Sequence, residues 1–306
     1  MAWLAIAGAA NAAAPGEPEG TLRIWASLQD AKLVEKWEVG FRRLHPRVEF
    51  ENAWHGPEST LAGVYTGVAD VALLARELRQ PVEKMAFQWV FRYPPFAITV
   101  ANAGFSATRE SAQLAFFVHA GNPLEHLTLA QLGHALGAQT EPAHTWGDLG
   151  ADGAWKAQPL HVIGPPVDSI AALHVRSTVL HGSHKWNPAY AEYPTSAQVL
   201  AAFAKDTQAI AYLPVDAVPA DAKILAIGAD GDFIKPDRET IRSRRYPLTR
   251  TIEAVINRAP GTAIRPPLRE FLDFVLSAQG QALIEPSDGL IVLSDAAVGL
   301  QRERLQ

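Results

Sequence analysis

The stretch that decides the fold runs from Arg245 to Gly261 and reads RYPLTRTIEAVINRAPG. An apolar pattern with helical spacing follows at Phe271–Ser277 (FLDFVLS). The segments 279–281 (QGQ) and 288–290 (DGL) close this part of the chain. No catalytic motif has this form.

The first part of the chain alternates between strand and helix patterns. Strands are predicted at 21–26, 48–51 and 69–74, where short apolar or alternating runs occur. Helices are predicted at 33–44, where apolar residues recur at helical spacing, and at 60–67. Strands and helices in this order predict an α/β fold with a largely parallel sheet.

Two polar stretches divide the chain into lobes. Residues 104–111 separate predicted strands at 98–101 and 114–118, and a second polar stretch covers 228–245 after predicted strands at 210–213 and 223–227. We interpret both stretches as crossings between lobes. Lobe 1 is then 21–103 plus 242–306, and lobe 2 is 104–241. Two crossings between two lobes create a hinge and a cleft, and ligands of α/β sheets bind outside the carboxyl ends of strands.

The composition excludes several classes of protein. Hydrophobic residues make up 48% of the chain and charged residues 19%, which is typical of a globular protein. The net charge of −5 argues against a nucleic-acid partner. The absence of cysteine excludes disulfides, thiolate metal sites and a lipid-anchored N-terminal cysteine.

The N-terminus has the composition of an export signal. Residues 1–14 are a short apolar run that ends in small residues, and Ala10-Asn11-Ala12 fits an A-x-A cleavage site. The run is too short to span a bilayer. It lacks a basic beginning, so the natural start is expected upstream of Met1, and a simple alanine-rich tail is the alternative. We assign 1–20 to a signal-peptide remnant and linker, and expect an exported, soluble periplasmic protein.

The segments quoted first resemble the C-terminal third of the periplasmic phosphate-binding proteins of ABC importers, and further matches extend from Thr21 to about Ser294. The additional matching segments are VHAGNPL (118–124), LTLAQL (127–132), TWGDLG (145–150) and AIAYL (209–213). The resemblance implies a two-lobed type II periplasmic binding fold with a double-crossover hinge. It also implies a small oxyanion as ligand, which is phosphate in that family, the membrane subunits of an ABC importer as partner, a monomer, and no cofactor.

The resemblance places the first ligand contacts after the first strand. Ser27 matches a family serine whose hydroxyl holds the oxyanion, Leu28 follows it, and Gln29 stands where the family has threonine. Gln29 can still donate through its amide. The alternative for Ser27 is a helix cap.

Two more contacts are predicted after the next strands. In the second turn Gly56 and Ser59 match the family, whereas Pro57 removes an amide donor and Glu58 puts a carboxylate where a hydroxyl is expected. Glu58 could equally serve only the helix dipole. After the third strand, Arg76 suits bidentate binding of an oxyanion, and its alternative is a salt bridge to a local acid.

The second lobe departs most from the family. Its loop GPPVDSI (164–170) has Pro165 where the family has arginine, and it lacks the family's Gly-Thr pair. Asp168 and Ser169 are the remaining candidates for ligand contact. These losses predict weaker phosphate binding than is normal for the family.

Two rival functions remain open. One is a periplasmic sensor or scaffold that kept the fold but has a degraded binding site, and the other is a hydrolase in the same cleft. The sequence contains no G-x-S-x-G, H-E-x-x-H or P-loop motif. His181 and His184 have a spacing that a metal could use, but Gly182 argues against a helix there, so we interpret the pair as part of a loop.

Overall fold

The computed structural model describes residues 18–56, 59–138, 141–229, 231–284 and 289–306. The predicted cleavage site and Glu58 lie outside these described residues. Within them the chain is a mixed α/β protein with three sheets, which confirms the predicted fold class.

The largest sheet combines the beginning and the end of the chain. Its six described strands lie in the order β14-β4-β13-β3-β1-β2. The strands are β1 (Gly20–Ser27), β2 (Val48–His55), β3 (Val71–Leu74), β4 (Phe96–Ala103), β13 (Thr251–Ile256) and β14 (Leu290–Ile291). The helices of this part are α1 (Ala31–Arg42), α2 (Ala62–Tyr65), α3 (Val82–Phe91), α8 (Pro266–Val275), α9 (Ala278–Ala282) and α10 (Asp295–Leu305).

The middle of the chain forms the other two sheets. A five-stranded sheet has the order β10-β5-β9-β7-β8, and a three-stranded sheet has the order β12-β11-β6. The strands are β5 (Leu114–His119), β6 (His126–Thr128), β7 (His161–Gly164), β8 (Tyr190–Glu192), β9 (Ala209–Pro214), β10 (Ala222–Ile224), β11 (Ala226–Ala229) and β12 (Asp232–Ile234). The helices are α4 (Leu129–Leu136), α5 (Ile170–Thr178), α6 (Ser196–Phe203) and α7 (Arg238–Arg242), and the described residues also form 3-10 helices at Leu28–Asp30, Trp146–Leu149, Gly153–Trp155 and Val215–Ala217.

Most predicted elements are present, and three differ. The predicted strand at 223–227 is two strands, β10 and β11, which belong to different sheets and are separated by the buried Leu225. The helix predicted over 60–67 is only the short α2. The polar stretch 228–245, predicted to be only a crossing, contains β12 and α7. The polar composition of this segment did not reveal its strand, because β12 forms by pairing with β11 in the three-stranded sheet.

Aromatic packing joins the two ends of the chain in one core. The ring of Phe41 in α1 makes edge-to-face contacts with Phe271 and Phe274 of α8, at centroid distances of 5.5 and 5.7 Å. The indole of Trp37 donates a hydrogen bond to the carbonyl of Gly280 at 2.9 Å. These contacts fix α1 against α8 and α9, so the turn between β1 and α1 has a defined position.

A buried glutamine joins the two connections between the parts. The Nε2 of Gln113 donates to the carbonyl oxygens of Ala103 and Arg250, both at 2.9 Å. Its Oε1 accepts from the backbone N–H of Arg250, also at 2.9 Å. Ala103 ends β4 and Arg250 precedes β13, so a single side chain holds the outgoing and returning chains together.

Candidate functional site

The turns predicted to bind ligand in the first part lie at one edge of the large sheet. Strand β1 is parallel to β2 and β3, with Ser27 opposite His55 and Ala26 opposite Leu73. Strand β4 ends at the same edge, because β3 and β4 are both antiparallel to β13. The turns after β1, β2 and β3 and the two connections therefore share this edge.

The turn after β7 faces the connections from the other side. Strand β5 begins directly after the first connection, and its Leu114 lies opposite Pro214 at the end of β9. Strand β7 is parallel to β9, so it also ends near the connections. The carboxyl ends of strands from both parts are thus brought to their junction, which is where ligands of open α/β sheets bind.

In the turn after β1, Ser27 has the capping role that was its alternative. Its buried hydroxyl accepts a long hydrogen bond, 3.4 Å, from the backbone N–H of Gln29 and caps the 3-10 helix Leu28–Asp30. The side chains of Leu28 and Gln29 are exposed. The exposure of residues 28–29 is therefore compatible with a ligand role for this turn. The Ser27 hydroxyl accepts the capping hydrogen bond and keeps its own O–H donor.

The sequence interpretation missed an ion pair at this turn. The buried carboxylate of Asp30 pairs with the guanidinium of Arg109, which comes from the first connection. Arg109 also donates to the carbonyl of Gln29 at 3.5 Å. Local sequence patterns do not predict this ion pair, because Asp30 and Arg109 are 79 residues apart in sequence.

In the turn after β2, the hydroxyls of Ser59 and Thr60 donate to the same backbone carbonyl. Exposed Ser59 donates to the oxygen of Gly56 at 3.3 Å, and buried Thr60 donates to it at 3.0 Å. Each hydroxyl retains lone pairs as acceptors, but a phosphate oxygen needs a donor. Ser59 would have to rotate away from Gly56 to donate to an anion.

Arg76 forms the local salt bridge that was the alternative to ligand binding. Its guanidinium makes a two-pronged contact with the carboxylate of Glu83 in α3, at 3.0 and 2.7 Å, and it donates to the carbonyl of Glu77 at 2.8 Å. The arginine side chain is almost fully buried. An anion at this position would therefore compete with a carboxylate that is already paired.

The two candidates of the second lobe lie at the start of α5. Ser169 is the N-cap residue, and its hydroxyl accepts from the backbone N–H of Ala172 at 3.2 Å. Asp168 is exposed. The nearby carbonyl of Pro165 accepts a hydrogen bond from the hydroxyl of Tyr190 at 2.6 Å, which fixes the start of the loop.

A charged cluster connects the two parts beside these turns. The carboxylate of Glu77 accepts from the backbone N–H of Thr251 at 2.8 Å and lies 3.3 Å from Nη2 of Arg250. It also lies 3.5 Å from Nδ1 of His174 in α5. Burial opposes the ionisation of Glu77, but Arg250 and His174 outweigh it and hold the pKa below its usual value.

Burial dominates the other two titratable groups of this region. It lowers the pKa of His174 to about 4, so the ring is neutral at pH 7 and its Nε2 can donate to the carbonyl of Leu248 at 3.2 Å. Burial also raises the pKa of Glu253 to about 7, although its carboxylate accepts from the backbone N–H of Leu78 at 2.9 Å. The junction therefore contains groups that titrate between pH 4 and 7.

An open cavity of about 550 Å³ lies next to the cluster, at the junction of the two parts. Of the residues predicted to bind ligand, Arg76 lines it, and Ile170 places the start of α5 at its wall. Ser27, Leu28, Gln29, Ser59, Asp168 and Ser169 are not among its lining residues. The predicted contact residues thus lie in turns at the carboxyl ends of strands, but they do not all line this one cavity.

The described residues contain no group of three or more His, Cys, Asp or Glu side chains placed to hold a metal ion. Across the same residues, no helix combines the length and the apolar character needed to cross a membrane.

Comparisons with known proteins agree with this architecture. No protein-family model matches the chain. The phosphate-binding protein PstS of Pseudomonas aeruginosa, found in two strains, is 28% identical over 271 residues, which covers 86% of this chain and 80% of the relative.

Solved structures share the fold at lower sequence identity. PstS from Borrelia burgdorferi has a TM-score of 0.62 at 15% identity, and the match covers 90% of this chain and 100% of that one. An ABC-type phosphate transport receptor from Vibrio cholerae has a TM-score of 0.56 at 18% identity, covering 89% and 99%.

The chain shares its fold with these two solved structures. The sequence comparison agrees with this, because the chain is similar to the phosphate-binding protein PstS over most of both chains. The resemblance predicted from the sequence is confirmed.

Proposed function

We propose that this protein captures phosphate outside the cytoplasm and delivers it to the membrane subunits of an ABC importer. Its curated relatives are named phosphate-binding proteins, and they match it over most of both chains. The observation that carries the proposal is the convergence of the turns after β1, β2, β3 and β7 at the junction of the two lobes. An exported, monomeric, non-enzymatic protein is part of the same proposal.

The lobe boundaries are proposed at the two connections. Lobe 1 would comprise 21–103 and 242–306, and lobe 2 would comprise 104–241. The large sheet takes its strands from 20–103 and 251–291, and the other sheets take theirs from 114–234, which supports this division. Closure of the lobes about the connections would bring Ser169 and α5 towards the turns of lobe 1.

The proposed ligand contacts are the backbone and side chains of Ser27, Leu28 and Gln29, together with Ser59, Arg76, Asp168 and Ser169. Glu58 is proposed on sequence grounds alone. Backbone N–H groups at the start of α5 suit an oxyanion, because they point outward from the helix and carry a positive partial charge. Arg76 would add charge only to the extent that its pairing with Glu83 allows.

A specific observation favours a second candidate, a sensor or scaffold with a degraded site. The hydroxyl of Ser59 already donates to Gly56, and Arg76 is paired, whereas Ser27 and Ser169 accept backbone hydrogen bonds and keep their O–H donors. A hydrogen bond to a charged ligand contributes about 1.5–3 kcal/mol, so losing several contacts would cost orders of magnitude in affinity.

Calorimetric titration of the purified protein with phosphate tests the function. We expect saturable binding of one phosphate, which becomes weaker in a Ser169→Gly variant. Glycine is nearly as good an N-cap as serine, so this change removes the hydroxyl with little loss of helix stability. A matched control is Ser196→Gly at the exposed first turn of α6, which should leave the affinity unchanged. An absence of phosphate binding in the parent protein would favour the sensor or scaffold.

A further inference from the structure

Strand β8 supports the loop that joins β7 to α5 in the second lobe. The hydroxyl of Tyr190, the first residue of β8, donates to the carbonyl of Pro165 at 2.6 Å. Two residues further along the strand, the carboxylate of Glu192 accepts a hydrogen bond from the backbone N–H of Val167 at 3.1 Å. The strand therefore holds this loop at one carbonyl and at one amide.

The contact of Glu192 with the loop lies at the edge of the sheet that faces the junction of the lobes. Glu192 is the last residue of β8, and it lies opposite Gly164, the last residue of β7, in a parallel pair. The carboxyl ends of both strands thus meet at the edge where ligands of α/β sheets bind. Because Glu192 is exposed there, an anion that binds this loop has a carboxylate as its neighbour.

Val167 supplies one of the few amide donors in this loop. Pro165 and Pro166 have no N–H groups, so the amide of Val167 is the first one after β7 that could bind an anion. The N–H of Ser169 already donates to the carbonyl of Pro166 at 2.9 Å. A carboxylate on Val167 therefore takes up a donor for which the loop has few substitutes.

A carboxylate on this amide stands where a ligand oxygen would bind. Backbone N–H groups hold carboxylate and phosphate oxygens through the same charge-assisted hydrogen bond. Two anions side by side also repel each other, so the presence of one weakens the binding of the other. The first lobe has a similar arrangement, because Glu83 pairs with Arg76. In each lobe, a carboxylate of the chain itself thus occupies a donor in a predicted ligand-binding turn.

We propose that Glu192 is an affinity-determining residue, an internal competitor that a phosphate oxygen must displace from the N–H of Val167. This role deepens the proposed phosphate function and rests on it. Since Glu192 is exposed, its side chain can turn into solvent when the ligand arrives. A competitor that belongs to the chain has a fixed effective concentration. It therefore lowers the affinity for phosphate by a constant factor and leaves the site intact.

A purely supporting role for Glu192 predicts the opposite effect when its charge is removed. Tyr190 provides the comparison, because its hydroxyl holds the carbonyl of Pro165, a group that an anion does not bind. Tyr190→Phe should loosen the loop and weaken phosphate binding, whereas Glu192→Gln should strengthen it. The sign of the change therefore distinguishes a competitor from a support.

Calorimetric titration with orthophosphate at low salt measures this change. We expect Glu192→Gln to bind phosphate about three- to tenfold more tightly than the wild type, because glutamine keeps the shape of the side chain without its charge. The control Glu49→Gln removes the same charge at an exposed position near the amino end of β2, and it should stay within about twofold of the wild type. Weaker or unchanged binding by Glu192→Gln would overturn the proposal, as would an equal gain in Glu49→Gln.

The Val167 amide adds a local measurement that a general change in stability does not imitate. In NMR spectra of the isotopically labelled protein, saturating phosphate should shift the Val167 N–H resonance, because its acceptor changes from the Glu192 carboxylate to the ligand. A Val167 resonance that does not respond to saturating phosphate would refute the displacement, even if the affinity of Glu192→Gln had changed. The urea midpoint of each variant shows that it is folded.

Failure of the proposed function and failure of the role of Glu192 have different signatures. If neither the wild type nor any variant binds phosphate, the phosphate function is wrong and the role of Glu192 falls with it. If the wild type binds phosphate and Glu192→Gln gains no affinity, only the role of Glu192 is wrong. Binding by Glu192→Gln but not by the wild type would support the competitor in its strongest form.

Discussion

The connection between the lobes depends on Gln113, and replacing it with leucine tests this directly. The Gln113→Leu variant keeps a side chain of similar size in a fully buried position but removes three hydrogen bonds of 2.9 Å to Ala103 and Arg250. Each such bond contributes about 0.5–1.5 kcal/mol net, and the N–H of Arg250 also loses its acceptor in a buried place. We therefore expect the free energy of unfolding to fall by about 2–4 kcal/mol.

Urea denaturation followed by circular dichroism measures this loss. The matched control is Gln279→Leu, because Gln279 is exposed in α9 and its replacement should change stability by no more than about 0.5 kcal/mol. Hydrogen exchange adds a local measurement, since the Arg250 amide should exchange faster in Gln113→Leu. A stability loss below about 1 kcal/mol, with unchanged exchange at Arg250, would refute the idea that Gln113 holds the two connections together.

Three further predictions concern titration and binding. The native pKa of Glu253, about 7, lies above its ordinary value, so the neutral carboxyl favours folding and this contribution to stability is lost as pH rises from about 4.5 to 7. Urea unfolding at pH 5 and pH 8 measures the loss, and Glu253→Gln should make it smaller by about 1–3 kcal/mol. The same pH dependence in both proteins would contradict this prediction. His174 acts in the opposite direction, because its lowered pKa of about 4 makes stability fall as pH falls from about 6.5 to 4. His174→Gln should reduce this loss of stability in the same assay. An unchanged loss between pH 6.5 and 4 would exclude His174 as its source. Glu83→Gln should remove the carboxylate that competes with an anion for Arg76 and tighten phosphate binding roughly tenfold by calorimetry. An unchanged affinity would remove Arg76 from the proposed contacts.

Phosphate affinity is also expected to fall between pH 6 and 8. A carboxylate at Asp168 or Glu58 can accept a hydrogen bond from the monobasic anion but repels the dibasic one. The second ionisation of a phosphate group occurs near pH 6, so the dibasic form dominates by pH 8. Calorimetry of the parent and an Asp168→Asn variant at both pH values measures the effect. Tight binding that does not depend on pH would show that these carboxylates point away from the ligand.

Local sequence determined the elements that carry their own signals. Apolar residues at helical spacing specified α1 and α8, and apolar runs specified β1, β3 and β5. For Ser27 a helix cap could be predicted as the alternative, because a cap depends on a hydrogen bond between residues two or three apart. The family resemblance, which rests mainly on such scaffold segments, gave the fold and the relationship together.

Only the tertiary structure decided how the site residues are paired. The contact of Arg109 with Asp30 and that of Arg250 with Glu77 join residues 79 and 173 positions apart, and no periodic pattern records such distances. For Arg76 the sequence left two outcomes open, since arginine binds a carboxylate and a phosphate through the same planar group. In the folded chain Arg76 pairs with Glu83, because α3 lies against the turn after β3. Sequence therefore specified which side chains could bind an anion, and packing determined which of them already have a partner.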